Sequence, residues 1–234
     1  MSCTVIQPVQ PDYQALYEDL LYPSVRITSS DGCGSGVIIS NKLINSSTNE
    51  LFVLTAGHVV GNEALVSVEL FNATETIPAF VVATDTVKDL ALLRITNYEL
   101  RTTIYPAKLA PRNYVPKIFT PIWVVGCSLG YAPRPTEGCI TVVSSEERVA
   151  SSEGNFPQSS LLTPRYWEMN APIWPGNSGG GVFLKDTYEL IGIAVWVKVY
   201  HDQLASTMGG IVPLQTIYEF LEDTKAVKGD ELYE

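Results

Sequence analysis

Ala171-Pro172-Ile173-Trp174-Pro175-Gly176-Asn177-Ser178-Gly179-Gly180-Gly181-Val182-Phe183 sets a lone serine among glycines and then runs into an apolar strand. Gly176 and Gly179 to Gly181 leave the backbone free to reach conformations closed to residues with a side chain. Such a loop can hold Ser178 Oγ outward while the backbone N–H groups of Gly176 and Ser178 point at one spot where an oxyanion could form. Gly-Asn-Ser-Gly is also ordinary turn composition, so the loop alone leaves a surface turn and a nucleophile both open.

The strand after the loop belongs to a series. Residues 122–126, 139–145, 166–170, 181–185, 190–199 and 208–212 read as about six short β-type runs with turn signals between them. Upstream, residues 25–27, 35–40, 50–55, 64–71, 79–83 and 90–95 read as about six more, rich in Val, Ile, Leu and Phe. Between 98 and 121 the prolines Pro106, Pro111, Pro116 and Pro121 mark a connector between the two halves. Closure is the usual way for an all-β half to remove its exposed edges. The expected fold is therefore all-β, with two six-stranded antiparallel barrels.

Helices are expected only at the ends. Tyr13, Leu16, Tyr17, Leu20 and Leu21 fall on one face at helical spacing behind Asp12 as N-cap, and Pro23 closes the segment. Apolar residues at 214, 217, 218 and 221 place a second helix over 214–222, followed by a polar tail that frays from Asp223. The expected organisation is a helical segment 1–22, a first barrel 23–110, a second barrel 111–213 and a C-terminal helix with its tail 214–234.

Composition narrows the function. The chain has 234 residues, 46% of them hydrophobic, enough to bury a core. A formal charge of −10, with Lys and Arg scattered along the chain, argues against a nucleic-acid site, which needs a concentrated basic footprint. No apolar run approaches the ~18 residues that span a bilayer, and the N-terminus lacks a basic region followed by an apolar one. No membrane partner and a cytoplasmic location are expected. Cys3, Cys33, Cys127 and Cys139 show no CxxC metal spacing, so no metal site is expected, and in a reducing compartment they read as buried thiols. Asn45-Ser46-Ser47 and Asn72-Ala73-Thr74 match the glycosylation sequon but read as loop residues without an export signal.

A serine hydroxyl is a poor nucleophile at neutral pH and needs a base within reach, normally a histidine oriented by a carboxylate. Of the two histidines, His201 lies in the polar segment Tyr200-His201-Asp202-Gln203, which reads as a solvated loop. His58 lies in Leu54-Thr55-Ala56-Gly57-His58-Val59-Val60, at the end of an apolar strand, a place that suits a strand-capping histidine as well as a base. Asp89 opens the apolar run Leu90-Ala91-Leu92-Leu93-Arg94-Ile95, where an acid is partly buried and needs a partner. Asp85 is the competing candidate, and Asp89 is preferred because it adjoins the buried run directly. An aspartate opening a strand also serves as a simple turn residue.

These three blocks resemble, in content and order, the His, Asp and Ser blocks of the chymotrypsin/trypsin superfamily of serine proteases. Gly34-Ser35-Gly36-Val37-Ile38, Val125-Gly126-Cys127-Ser128-Leu129-Gly130 and Leu190-Ile191-Gly192-Ile193-Ala194-Val195-Trp196 extend the likeness over roughly 22–222 and bring it nearer to the bacterial HtrA type than to the digestive enzymes. The resemblance implies a chymotrypsin-like fold and a serine endopeptidase that acts on polypeptides through an acyl-enzyme without metal or cofactor. It implies His58 as general base and then acid, Asp89 as its orienting partner, Ser178 as nucleophile, and the N–H groups of Gly176 and Ser178 as oxyanion hole. The sequence departs from the digestive enzymes in having no Ile-Val-Gly-Gly-type amino terminus and no cysteines flanking His58 or Ser178. Only about a dozen residues follow the last expected helix, so the PDZ domain usual in the HtrA type is not expected.

By the same resemblance the floor of the S1 pocket falls at Pro172 and Ile173 and its walls at Val195, Trp196 and Val197 and near Gly209–Ile211, with Gly210 at the centre of that stretch. No acid stands at these positions, so a Lys or Arg at P1 has no counter-charge. Val197 replaces the glycine of open pockets, and a small or medium apolar P1 is expected. The alternatives are a catalytically silent peptide-binding module on the same fold, and a protease that processes its own chain. Neither the oligomeric state nor the resting shape of the oxyanion loop follows from the letters.

Overall fold

The computed structural model describes residues 12–45, 48–73, 75–96, 103–143, 166–201 and 203–228. Cys3, the last two residues of the expected strand 139–145 and the tail beyond 228 lie outside them. Six strands precede the connector: β1 (Ser24–Ser29), β2 (Gly32–Asn45), β3 (Thr48–Ala56), β4 (Leu65–Leu70), β5 (Thr76–Asp85) and β6 (Leu90–Thr96). Six follow it: β7 (Pro121–Gly126), β8 (Arg134–Val143), β9 (Trp167–Met169), β10 (Gly181–Leu184), β11 (Leu190–Tyr200) and β12 (Gln203–Pro213). Each set closes into an antiparallel barrel, in the orders β1-β2-β3-β6-β5-β4 and β10-β11-β12-β9-β8-β7.

Alternation explains the single-sided strands, and continuous apolar runs explain the doubly covered ones. β4 reads exposed, buried, intermediate, buried along Leu65-Val66-Ser67-Val68, as a strand with one face inward does. In β6, Leu90 to Leu93 are all fully buried, so that strand is covered on both faces. Each such Leu contributes roughly 1.5–3 kcal/mol relative to exposure. The apolar core of the first barrel continues through Val125, Phe183, Leu190, Ile193 and Val195 of the second, and the two barrels meet along a packed apolar seam. The connector is stitched to both: Ala107 N–H donates to Ile38 O (2.8 Å), while Ala110 N–H donates to Leu190 O (3.0 Å).

The helical ends differ in detail from the sequence reading. α1 (Tyr13–Leu16) is capped by Asp12, whose Oδ1 accepts from Ala15 N–H, and continues as a π-helical turn over Tyr17–Leu21. Leu20 is buried, but Tyr13 and Tyr17 stay exposed, and Tyr17 stacks edge-on with Tyr22 and Phe71 at the surface. α3 (Leu214–Lys228) runs past the expected end at 222. Asp223 is held by Lys88 Nζ (2.8 Å), and buried Thr224 bonds back to Phe220 O, so this turn is fastened to the body instead of fraying. β2 and β12 also outrun their apolar letters, because each is carried on as one arm of a long hairpin, with β3 and β11 respectively.

Candidate active site

β3 and β6 pair antiparallel with Ala56 opposite Leu90, so the residues just beyond that pair are neighbours at one end of the barrel. β3 there gives way to a single helical turn, α2 (Gly57–Val60), which carries His58, and on the other strand stands Asp89. Asp89 is held at φ 51°, a left-handed conformation that short polar side chains tolerate, and its carboxylate turns back toward α2. Asp89 Oδ1 accepts the backbone N–H of His58 (2.9 Å), and His58 Nδ1 lies 2.8 Å from Oδ2 and 3.1 Å from Oδ1. With Nδ1–H donating to the carboxylate, Nε2 is left as the lone-pair nitrogen. The imidazole is about half exposed and so open to a ligand.

Asp85 serves elsewhere. Its Oδ1 accepts from the backbone N–H groups of Val87 and Lys88 (both 2.9 Å), closing the turn between β5 and β6, and its Oδ2 lies 3.1 Å from Lys88 Nζ. Partial burial pushes its carboxyl up, but the Lys88 backbone and side chain outweigh that and hold it below the usual value. Lys88 is in turn raised by its bond to Asp223. His201 sits exposed at the β11–β12 turn with φ 48°.

The Ser178 loop is seated on the first barrel. Ser35 N–H donates to Ser178 O (2.8 Å), and a Cβ on Gly179 would run into Ser35 O and Thr55 Oγ1 and come within 3.1 Å of Ala56 N. Gly179, at φ 85°, is therefore pressed against the end of β3, close to the turn that bears His58. In the resting geometry Ser178 Oγ donates toward Val195 O over 3.4 Å. Three carbonyls around it are committed outward: Pro175 O accepts from Leu129 N–H (2.7 Å), Gly176 O from Ser35 Oγ (2.7 Å), and Asn177 O from Gly180 N–H (2.9 Å). In a trans peptide the N–H points opposite the preceding carbonyl. The Gly176 and Ser178 N–H groups thus face away from those partners, and among the described residues neither donates a backbone hydrogen bond. Two unpaired amides beside a hydroxyl can receive an oxyanion. Gly176 has to be glycine: its φ is 98°, and a Cβ would collide with Cys127 O.

The expected S1 residues divide between the two faces of one hairpin. Val197 pairs with Gly209, and a Cβ there would run into Ile173 Cδ1 and approach Met169 Cε at 3.1 Å. Val197, Ile173 and Met169 share one apolar cluster, so the space beside Gly209 is filled by side chains. Trp196 pairs instead with Gly210, lies over it and meets Tyr166 edge-on at 6.3 Å. Successive strand residues face opposite ways, so within the expected stretch Gly209–Ile211 it is Gly209 that lies beside Ile173, while Gly210 lies under Trp196. Pro172 is exposed while Ile173 is 3% exposed, which leaves Ile173 as the packed residue of the expected floor. Val195 is buried and presents its carbonyl to Ser178.

The trypsin-like peptidase domain family matches residues 34–193. The chain belongs to that family. It is 28% identical over 156 residues to the serine protease Do-like HtrB of Bacillus subtilis, covering 66% of this chain and 31% of that protein. It is 26% identical over 218 residues to the serine protease Do-like HtrA of the same organism, covering 90% of this chain and 44% of that protein. A serine protease HtrA-like protein of Staphylococcus epidermidis is 28% identical over 167 residues, 70% of this chain and 26% of that one. The chain thus spans less than half the length of these relatives. The crystal structure of the serine endoprotease from Yersinia pestis superposes with a TM-score of 0.66 at 21% identity, over 93% of this chain and 68% of that one, a likeness of fold. The barrels of this trypsin-like peptidase domain are chymotrypsin-like in their strand count and closure.

Within this trypsin-like domain several polar residues that sequence reasoning gave no role stand around the loop. Ser35 is one, Arg26 and Ser128 are others: Arg26 Nη1 donates to Gly130 O (2.8 Å), and Ser128 Oγ donates to Asn177 Oδ1 (2.6 Å). The only signal in the letters was a serine between two glycines. Of the cysteines, Cys127 is buried, and burial pushes its thiol up to about 11, whereas Cys33 is exposed, contrary to the expected buried thiol, because it sits where β2 leaves its turn. Among the described residues no group of three or more His, Cys, Asp or Glu side chains is placed to hold a metal, and no helix is long and apolar enough to cross a membrane.

Proposed function

We propose that this chain is a serine endopeptidase in which Ser178 is the nucleophile, His58 the general base and acid, and Asp89 the residue that fixes the imidazole. The observation that carries the reading is the pairing of His58 Nδ1 with Asp89 Oδ2 at 2.8 Å, on the barrel against which a serine loop with two unpaired amides is seated. In the reaction, His58 Nε2 takes the Ser178 proton as Oγ attacks the scissile carbonyl, and the Gly176 and Ser178 amides receive the oxyanion. His58 then returns the proton to the departing amine. Water, deprotonated by the same nitrogen, attacks the acyl group, and His58 passes that proton to Ser178 Oγ as the acid leaves. Hydrogen bonds at such sites lengthen in the free protein and tighten with substrate, which accommodates the resting bond of Ser178 to Val195.

Substrates are polypeptides with a small apolar residue at P1. Ile173, Met169 and Val197 occupy the depth in which a long side chain would lie, and no acid among them would neutralise Lys or Arg. A fluorophosphonate probe tests the reading. It labels the wild type near neutral pH and fails on Ser178→Ala, which also loses on the order of 10⁶ in kcat. A folded wild type that takes no label leaves the silent binding module as the function. Internal cleavage in mass spectra of purified wild type, absent in Ser178→Ala, adds self-processing.

A further inference from the structure

We infer that Ser35 is a positioning residue for the oxyanion hole: one hydroxyl of the first barrel holds both walls of the loop that Gly176 and Ser178 belong to. The inference rests on the endopeptidase reading and adds to it a residue outside the three catalytic ones. Ser35 is 1% exposed, and its hydroxyl and N–H are used on this task while its carbonyl is tied to β3. Its Oγ donates to Gly176 O (2.7 Å) and accepts from Cys127 N–H (2.7 Å), its N–H donates to Ser178 O (2.8 Å), and its carbonyl accepts from Thr55 Oγ1 (2.6 Å).

The two Oγ bonds act on different walls. The bond to Gly176 O fixes the peptide between Gly176 and Asn177, at a glycine whose φ of 98° leaves that peptide free to rotate if released. The bond from Cys127 N–H fixes the start of the turn over Ser128–Gly130, which supplies the Leu129 N–H that holds Pro175 O. Pro175 O decides where the Gly176 N–H points. If that carbonyl turned inward, an acceptor would replace a donor in the hole. A second strap from the same barrel reaches the far end of the turn, where Arg26 donates to Gly130 O and also pairs with Glu69. Ser35 and Arg26 are 141 and 104 residues from the groups they hold in the second barrel, so the hole is assembled by the docking of the barrels.

The test compares wild type, Ser35→Ala, Ser35→Thr and Arg26→Met on a peptide amide substrate and on a peptide boronic acid, whose tetrahedral adduct places an oxygen in the hole. Ser35→Ala is expected to lose on the order of 10²-fold in kcat with KM nearly unchanged, as for loss of an oxyanion-hole donor. Boronate affinity falls in parallel, while affinity for the cleaved product peptide holds. Ser35→Thr, which keeps the hydroxyl, regains most of both. Arg26→Met, at a partly exposed side chain, shows a smaller loss of the same pattern and carries the test if Ser35→Ala does not fold. The inference is overturned if Ser35→Ala or Arg26→Met keeps wild-type kcat, or if kcat falls while boronate affinity does not. A wild type that neither labels with fluorophosphonate nor turns over substrate overturns the endopeptidase reading itself. Full labelling of both wild type and Ser35→Ala at equal rates overturns only the role of Ser35.

Discussion

The His58–Asp89 pair and the loop over residues 175–180 both lie at the Ala56 end of β3 but are built by opposite means. The pair is made within one barrel, from residues 31 apart, and rests on one carboxylate that takes both the ring and the backbone of its partner. The loop contributes almost no side-chain chemistry beyond Ser178. Its shape is a set of carbonyl directions, and Ser35 and Leu129, both outside it, hold two of them. On the proposed reading, the acid–base half of this site is local and the charge-stabilising half is composite. Damage to the first should change proton transfer, and damage to the second should change how well a negative oxygen is received.

Substitutions on either side of that contrast test it. The largest effect is expected at Asp89→Asn, which frees the imidazole to take the wrong tautomer: kcat falls on the order of 10⁴-fold, as for the same change in the well-studied triad, with the fold intact. Steady-state kinetics beside Asp85→Asn decides the matter, since a greater loss at Asp85 would move the carboxylate role. Next is Val197→Gly, which opens the space beside Gly209 and Ile173. The ratio of kcat/KM for Leu over Ala at P1 should rise about 10- to 100-fold, measured on matched peptides. The smallest is Lys88→Met, which cuts the tie from the β5–β6 turn to α3 and costs about 1 kcal/mol or less in urea unfolding. Because Asp85 is lowered and Lys88 raised, their contribution is complete between the ordinary carboxylate and lysine values. It is lost as pH falls through the folded Asp85 value and as pH rises through the folded Lys88 value, so the wild-type advantage should close at both extremes.

The barrels were legible because their strands are written in β-branched and aromatic letters between turns, and β6 could be placed from Leu90 to Ile95 alone. His58, Asp89 and Ser178 could be picked out because each breaks the pattern around it, a polar residue at the mouth of an apolar run or alone among glycines. The structure brings the first two into contact and seats the Ser178 loop against the barrel that carries them. The ends of β2 and β12 were not legible, since hairpin pairing, not apolar content, carries those strands onward. Nor was the choice between Gly209 and Gly210, which depends on strand register, and a slip of one residue turns a side chain to the other face. The direction of the Pro175 and Gly176 carbonyls was beyond the letters altogether. It is decided by Leu129 and Ser35, residues remote in the chain that only the closed fold brings near.

The bond from Ser35 to Gly176 crosses 141 residues. During synthesis the first barrel emerges from the ribosome, and can shut around its core, while the loop it must hold is not yet made. The second barrel closes only when β12 pairs with β9 and β11, close to the end of the described chain. A nascent chain therefore carries its imidazole and carboxylate early, and the loop that Ser35 holds takes its shape only after β12 is made. Translation itself becomes a timer: on the proposed reading, the chain is made through β12 before it has a site with which to cut another.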